Sequence, residues 1–331
     1  SAGNKWVYYD VNMDADIEFE VGKSYAISRA TDGELSFTGT LTTDNLFQTL
    51  TTNQWVAIGN PFTTYFPANK NSNSSFLNDN LSALDDTYQS IYMWDNSQNK
   101  YVAVTELDAS NRSLTPGQGF FIKLKNGQTD IVFKEEKRST KPSTGITNFS
   151  KTKTKNPTIQ IFANDGTHKV NTSIKYFNNA STGFDKGLDI GNFNSEGLDI
   201  YSRITDLSSE TNFTIQSLPN NNLESMVVPI GIKTANNSEI TLSVSSENLP
   251  NNYNIFLEDK ELNTFNRLDT SNENYKINLA ENKTFDNRFY IHVTPQVLDI
   301  DDLKIANLNI YLSGKRTLTI KGLQSEKALV K

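Results

Sequence analysis

The stretch Gln54-Trp55-Val56-Ala57-Ile58-Gly59-Asn60-Pro61-Phe62 decides how the first part of the chain folds. Further along, Leu114-Thr115-Pro116-Gly117-Gln118-Gly119-Phe120-Phe121-Ile122-Lys123 matches it. Each stretch joins an apolar run to a Gly/Pro turn, which predicts a strand with a sharp reversal beside it. Asn60 precedes a proline and is therefore disfavoured in the helical region. Pro116-Gly117 suits the centre of a type II turn, with positive φ expected at Gly117.

Short apolar or alternating segments predict further strands around these two stretches. Those in the first module are Lys5–Tyr9, Asp16–Val21, Ser24–Arg29, Glu34–Leu41, Ser90–Trp94, Lys100–Leu107, Gly119–Leu124 and Thr129–Lys134. The last two are expected to pair across residues 125–128. The apolar residues of 76–88 have the spacing of one short helix. We therefore expect residues 1–137 to form a β module with a single helix.

A second β module is predicted over residues 158–296, after a linker. Residues 138–157 are rich in Lys, Ser and Thr, which indicates a solvated linker; a polyanion or membrane-surface patch is the alternative, but no aromatic residues interleave with the charges. The strands predicted beyond the linker are Thr158–Phe162, Val170–Phe177, Asp199–Ile204, Phe213–Leu218, Met226–Lys233, Glu239–Ser245, Asn254–Asp259, Thr264–Asp269, Tyr275–Leu279 and Arg288–Thr294. Short strands at this spacing favour an all-β fold of tandem antiparallel β-sandwich modules, immunoglobulin-like or jelly-roll-like.

The last segment, residues 297–331, contains one predicted hairpin. Its strands are Asn307–Leu312 and Thr317–Lys321, joined by the turn Ser313-Gly314-Lys315. An isolated hairpin is marginally stable in water. We therefore expect it to be held by the second module or by a partner.

Composition excludes several classes of protein. The 331 residues include no cysteine, so disulfides, thiolate metal sites and cysteine nucleophiles are excluded. The net charge of -7 argues against a nucleic-acid-binding protein, which would carry a basic surface. No signal peptide is recognisable, and no apolar run is long enough to span a bilayer.

Residue types that carry catalysis are sparse. The two histidines, His168 and His292, are each interpreted as a lone surface histidine. Adjacent carboxylate pairs occur at Asp85/Asp86, Glu135/Glu136, Glu258/Asp259 and Asp301/Asp302. Neighbours on a strand point to opposite faces, so such pairs do not flank one glycosidic bond. The sequence predicts a protein that is not an enzyme.

One acidic stretch resembles a calcium-binding loop. Its alternating oxygen-bearing residues are Asp10, Asn12, Asp14, Asp16 and Glu18. The glycine and the closing glutamate of such a loop are absent, because alanine and valine occupy those positions. A solvated strand edge is the preferred interpretation, Ca²⁺ is the alternative, and no other cofactor is predicted.

Several aromatic residues have the chemistry of a sugar-stacking platform, namely Trp55, Trp94, Tyr101, Phe120 and Phe121. Trp55, Phe120 and Phe121 lie in strongly apolar runs, which favours core packing. Tyr65 and Phe66 lie beside a polar insertion, so they are the predicted ligand-facing aromatics.

The ordered motifs resemble a pair of modules found in large secreted proteins of the Bacteroidota that leave the cell through the type IX secretion system. In the first module the motifs are Gly22–Ile27, Phe37–Leu41, Trp55–Phe62, Ile91–Asp95 and Pro116–Phe121. In the second they are Ile174–Phe177, Thr182–Asp185 with Leu188-Asp189, Ile200-Tyr201, Ile215–Pro219, Val228–Gly231, Phe256–Lys260 and Arg288–Thr294. Residues 308–331 resemble the opening of the type A sorting domain, without its Pro-Asn-Pro signature and without its remainder.

The resemblance implies a non-catalytic C-terminal stalk that presents other parts of a secreted or cell-surface protein on a Gram-negative bacterium. The implied partner is the type IX machinery at the outer membrane, reached through a complete sorting domain. The alternative is a carbohydrate-binding or adhesive module of an adhesin or of a polysaccharide-degrading enzyme, with surface glycans as partners.

Overall fold

The protein divides into two compact units. The computed structural model describes residues 18–26, 38–69, 75–108, 110–141, 156–193, 197–204, 211–234, 238–270, 274–280 and 282–295, and the backbone of 309–312 and 318–321. Unit 1 comprises residues 1–85 and 108–146, and unit 2 comprises residues 86–107 and 147–331. The hairpin segment 86–107, which the sequence assigns to the first module, therefore belongs to unit 2.

Unit 1 is built from short antiparallel strand pairs and one helix. Numbered along the chain, its elements are β1 (Leu46–Thr49), β2 (Trp55–Gly59), β3 (Phe66–Pro67), α1 (Phe76–Asn80), β6 (Ser113–Leu114), β7 (Gly119–Lys123), β8 (Asp130–Phe133) and a 3-10 turn at Glu135–Lys137. Strand β2 pairs with β7, β1 with β8, and β3 with β6. The expected β7–β8 pairing is wrong, because β8 pairs instead with β1, which the sequence did not predict.

The two turns quoted at the outset lie against each other. Asn60 donates its backbone N–H to the carbonyl of Gln118 at 3.0 Å, and its side-chain amide donates to the carbonyls of Thr64 and Thr115. Its own side-chain oxygen accepts from the N–H of Phe62. Because Asn60 is only 4% exposed, this one side chain satisfies buried backbone groups of both turns.

The helix of unit 1 is shorter than predicted. Ser75 caps its first turn by accepting from the N–H of Asn78. At the other end, the Asn80 side chain donates to the carbonyls of Phe76 and Val132. Because these contacts fix Asn80 against β8, the chain turns at residue 81 and Leu84 forms an isolated bridge with Leu124.

The N-terminal strands are only partly testable. Residues 5–9 lie outside the described residues, and the described parts of the other three segments, 18–26 and 38–41, contain no strand. Lys23 makes a single bridge to Ile58. The predicted strands are therefore wrong in those described parts.

Unit 2 contains the hairpin β4 (Ile91–Asp95) and β5 (Lys100–Val104) and a large sheet. The strands of the large sheet are β9 (Thr158–Asn164), β10 (Lys169–Phe177), β11 (Ile190–Gly191), β12 (Asp199–Ser202), β13 (Phe213–Pro219), β14 (Val227–Thr234), β15 (Ser238–Glu247), β16 (Asn254–Asp259), β17 (Thr264–Arg267), β18 (Tyr275–Leu279) and β19 (Lys283–Thr294). A 3-10 turn spans Leu223–Ser225. The strand order is β17-β16-β19-β14-β12-β13-β10-β9-β15-β18, and β11 pairs with β13.

Strands from both edges of the large sheet contribute side chains to one hydrophobic core. It joins Ile240 of β15 and Leu279 of β18 with Ile255 of β16 and Phe289 of β19. Ten strands at about 4.8 Å spacing would be about 40 Å wide if flat, so a shared core requires the sheet to fold over itself. The predicted all-β sandwich character is confirmed.

One strand pair departs from the antiparallel prediction. β10 and β13 run parallel, with Ser173 opposite Ile215 and Phe177 opposite Pro219. The two strands are joined by a long crossover, as a parallel pair requires. The C-terminal hairpin is confirmed in its backbone, where β20 (Asn309–Leu312) pairs with β21 (Leu318–Lys321).

No helix in the described part of the chain combines the length and the apolar character needed to cross a bilayer.

Candidate functional site

The β4–β5 hairpin of unit 2 carries an aromatic pair in which the Trp94 indole is exposed and Tyr101 is half-buried. Trp94 and Tyr101 are opposite each other across the hairpin, and their rings meet edge to face with centroids 5.1 Å apart. Trp94 is 47% exposed, whereas the Tyr101 ring leans on Phe193 at 4.7 Å. Burial raises the pKa of the Tyr101 hydroxyl, so it is neutral at ordinary pH. The hairpin thus presents an indole supported from behind by a fixed ring.

Polar residues surround this indole. Its N–H donates to the side-chain oxygen of Asn96 at 2.6 Å. The Asp95 carboxylate accepts from Ser97 and Gln98. Burial acts to raise the pKa of Asp95, but these hydrogen bonds outweigh it and the pKa is lowered. Asn99 completes the turn at a φ of 50°, a conformation that asparagine tolerates.

The same face of the hairpin is tied to the rest of unit 2 two residues further back along β4. Tyr92 is fully buried and donates its hydroxyl to the carbonyl of Gly191 at 2.7 Å. Its ring lies 5.6 Å from that of Phe193. A Cβ at Gly191 would lie 2.3 Å from the Tyr88 ring, so this close approach requires glycine.

A buried charged cluster lies at the base of the hairpin. Lys100 Nζ lies 2.6 Å from Asp199 Oδ1, and each side chain is only 2% exposed. Asn192 donates its amide to Asp199 Oδ2 at 2.7 Å and is itself 3% exposed. The N–H of Ile200 also donates to Asp199 Oδ1. One carboxylate therefore bridges a lysine amine and a carboxamide away from solvent.

A second buried carboxyl lies in the loop before β11. Asp189 is fully buried and accepts from the N–H groups of Ser217 and Asp185, each at 2.6 Å. Burial raises its pKa to about 7, although these hydrogen bonds act in the opposite direction. The loop is thus closed onto β13 by a carboxyl group that titrates near neutral pH.

A third cluster joins three strands at the end of β16. Arg288 donates from Nε and Nη2 to the Asp259 carboxylate, and the Tyr275 hydroxyl donates to Asp259 Oδ2 at 2.7 Å. Burial acts to raise the pKa of Asp259, but the bonds from Arg288 and Tyr275 outweigh it and the pKa is lowered. This geometry is structural, because it fixes the β16–β17 turn to β18 and β19.

The sequence-predicted ligand aromatics are not brought to the surface together. Phe66 is 0% exposed and packs against Phe62 and Phe133, so its assignment as a ligand-facing residue is wrong. The reason is that the chain enters β3 at this point and turns the ring into the core of unit 1. Tyr65 is half-buried and its backbone pairs with Ser139.

The other aromatic candidates differ in how far they are buried. Phe120 is confirmed as a core residue, at 2% exposed. Trp55 and Phe121 are half-buried in unit 1. Among these candidates within the described ranges, only Trp94 is exposed, and Tyr101 beside it is half-buried. The sequence could not select them, because periodicity on a short hairpin does not show which face is covered.

The histidines have partners, which corrects their interpretation as lone residues. His292 Nε2 lies 2.8 Å from Glu258 Oε2, and His168 Nδ1 lies 3.6 Å from Asp165. Glu258 and Asp259 point to different partners, as expected for strand neighbours. Asp301/Asp302 and the calcium candidates Asp10 to Asp16 lie outside the described residues. Within those described, no three His, Asp or Glu side chains are grouped as metal ligands.

Comparison with known proteins assigns a family but no relative of known function. Residues 22–293 match the model of a family described as "Domain of unknown function (DUF8693)". No curated protein and no solved structure matches the chain. The match covers the β4–β5 hairpin, the Lys100–Asp199 pair and the Asp259–Arg288 cluster, and it spans most of the sequence. The chain therefore belongs to this family of unknown function, DUF8693.

Proposed function

We propose that this chain is the non-catalytic C-terminal region of a secreted or cell-surface protein of the Bacteroidota, exported by the type IX secretion system. The observation that supports a presenting role is how the buried charges are used. Lys100–Asp199 and Arg288–Asp259 both tie strands of unit 2 together. Charges held in this way stiffen an all-β scaffold, as a stalk requires.

The export route rests on the resemblance of the ordered motifs. In support of it, residues 309–312 pair with residues 318–321, in the region that resembles the start of a sorting domain. The test follows the native full-length protein in a type IX-competent Bacteroidota strain and in an isogenic secretion-deficient strain. We expect surface or medium localisation in the first and periplasmic retention in the second. The same distribution in both strains would refute type IX export.

A second function, glycan binding, is favoured by the exposed Trp94 indole, which the half-buried Tyr101 ring supports. The apolar face of a sugar ring stacks on an indole, and amide side chains such as Asn96 and Gln98 bind its hydroxyl groups. This proposal relocates the carbohydrate site from residues 65 and 66 to the β4–β5 hairpin.

The glycan test compares the wild-type chain with Trp94→Ala on an array of algal, plant and bacterial-surface glycans. Loss of one aromatic stack is expected to weaken binding by about tenfold. Phe47→Ala is the matched control, because Phe47 is an exposed aromatic residue of unit 1, at 72%. Equal losses in both variants, or no glycan bound by the wild type, would reject the hairpin site.

A further inference from the structure

The strongest unassigned chemistry in the molecule is the buried cluster of Lys100, Asp199 and Asn192. Lys100 lies on β5, Asp199 begins β12, and Asn192 follows β11, so three separate segments of unit 2 meet here. Their relative exposures are 1%, 1% and 3%. Lysine is almost never fully buried unless it is paired, and here its partner Asp199 also binds the Asn192 carboxamide.

The surroundings of the cluster exclude water. Asn192 precedes Phe193, whose ring contacts Tyr92 and Tyr101 of the hairpin. Tyr92 is fully buried. Burial in an apolar site makes isolated charges costly, so a proton passed directly between two buried partners avoids a separated charge. A neutral amine is a nucleophile, whereas an ammonium ion is not.

We propose that Lys100 forms an intramolecular isopeptide bond with Asn192, with Asp199 as the proton-transfer residue. Asp199 Oδ1 takes a proton from the Lys100 ammonium across the 2.6 Å contact. The free amine attacks Asn192 Cγ and forms the new C–N bond. The bond between Cγ and Nδ2 then breaks, and Nδ2 leaves as ammonia.

The carboxyl group of Asp199 is placed for both proton transfers. Asn192 Nδ2, the nitrogen that leaves, already contacts Asp199 Oδ2 at 2.7 Å. The proton taken from Lys100 can therefore be delivered to the departing nitrogen. An ammonium and a carboxamide become a secondary amide and an ammonium ion, so atoms and charge balance without an oxidant or another reactant.

The arrangement supplies what intramolecular condensation needs. Holding two reacting groups in one buried site replaces a bimolecular encounter, and effective molarities of such reactions reach about 10⁵–10⁸ M in favourable cases. Exclusion of water also disfavours hydrolysis of the product. The bond would join the β4–β5 hairpin covalently to the segment between β11 and β12. This inference does not rest on the proposed function.

Intact-mass spectrometry of the purified full-length chain tests the proposal. We expect a mass lower than the sequence mass by one ammonia molecule. Proteolysis should then release one branched peptide that joins the segment containing Lys100 to the segment containing Asn192. A mass equal to the sequence mass, with no branched peptide, would overturn the proposal.

Variants separate this reaction from its alternatives. Asp199→Asn, Lys100→Met and Asn192→Ala should each lack the branched peptide. Lys134→Arg is the control, because Lys134 and Asp79 form a pair at 2.7 Å that is partly exposed, and this change should leave the crosslink intact. Loss of one water molecule with a Lys100–Asp199 branched peptide would overturn the assignment of Asn192. Ammonia loss that persists in Lys100→Met would come from cyclisation of another asparagine to a succinimide and would count against the bond.

Discussion

Left-handed backbone conformations explain why glycine or asparagine occupies several positions. Gly117 has a φ of 69° and lies in the turn closed by the Gln118 N–H on the Thr115 carbonyl at 3.1 Å. A Cβ at this glycine would meet no atom within 4 Å. The need for glycine is therefore one of backbone conformation and not of space. Among the residues that the structure describes, six asparagines occupy the same region, at positions 53, 99, 222, 248, 263 and 282.

Gly117→Val is expected to destabilise unit 1 by about 1–2 kcal/mol, the penalty for an L-residue in the left-handed region. Gly117→Asn is the matched control. It should lose less unfolding free energy than the valine variant, because asparagine tolerates this conformation. Chemical denaturation of both variants measures the difference. Equal stability of the valine variant and the wild type would show that the turn can relax.

Asp189 predicts a pH dependence of stability. Its folded-state pKa of about 7 lies above the ordinary value of 3.8, so the folded state retains a proton that the unfolded state releases. The stability contributed by this group is therefore present below about pH 4 and is lost as pH rises to 7. Asp189→Asn cannot titrate. The advantage of the wild type over this variant should shrink by about 3 kcal/mol between pH 5 and pH 8, at 1.36 kcal/mol per pKa unit.

Urea denaturation at the two pH values checks this expectation. Asp44→Asn, which changes an exposed aspartate of unit 1, is the control and should show no such trend. A difference between wild type and Asp189→Asn that is the same at pH 5 and pH 8 would contradict the expectation.

Some single residues could be predicted and others could not. The conformation of Gly117 follows from its place after a proline, which is local information. Lys100 and Asp199 are 99 positions apart, and neither has a neighbour that signals the pair. Burial of Phe66 likewise depends on contacts made only in the folded unit. Local chemistry thus predicts turns, whereas the candidate site depends on long-range packing.

Individual elements are fixed by polar side chains at their ends. Asp259 ends β16 and accepts from the N–H groups of Glu261 and Leu262, which shapes the turn into β17. The same carboxylate binds Arg288 of β19 and Tyr275 of β18. Desolvation and the bond to Asp259 raise the pKa of Tyr275 to about 12, so the phenol remains a donor.

Arg288→Met should destabilise unit 2 by about 3–5 kcal/mol, because it leaves the buried Asp259 carboxylate without its cation. The control is Arg267→Met, which breaks a surface pair with Asp269 and should lose at most about 1 kcal/mol. Unfolding free energies of both variants provide the measurement. If both variants lost a similarly small amount of unfolding free energy, Tyr275 and the backbone N–H groups would be enough to stabilise the Asp259 carboxylate.

The strands of unit 2 were more predictable than those of unit 1. Strands β16 and β18 have the predicted bounds, since β18 alternates and β16 is a short apolar run between turn residues. The β10–β13 parallel pairing was missed, because alternation shows which face is buried but not which strand is the neighbour. Strand β1 is not predicted by the sequence. Its apolar residue Phe47 is exposed, so its apolar pattern does not show which face is buried.

The molecule as a whole does not divide where its composition changes. Residues 86–107 precede the Lys-rich linker, yet they contact the sheet of unit 2 through Tyr92 and Lys100. Unit 2 is therefore discontinuous in sequence. The family match over residues 22–293 covers both of its segments.

A fragment of residues 156–295 should consequently be less stable than unit 2 in the intact chain. The fragment lacks the Lys100–Asp199 and Tyr92–Gly191 contacts and exposes the surface that the hairpin covers in the intact chain. Its melting temperature should therefore be lower than that of unit 2 in the intact chain. Calorimetry of the fragment and of the full chain measures the difference. A fragment that melts with the intact unit would mean that the hairpin adds no stability.

The position of β9 within the large sheet has a consequence for the time the chain needs to fold. β9 pairs on one side with β10, its neighbour in sequence, and on the other with β15, with Thr158 opposite Glu247. The second pairing cannot form until the whole intervening chain has been gathered, and the entropy of that loop must be overcome first. β domains dominated by such distant pairings fold in about milliseconds to seconds. During that interval the strand edges of β9 and β15 are open to other chains, so the chain is most prone to aggregate before this pairing forms.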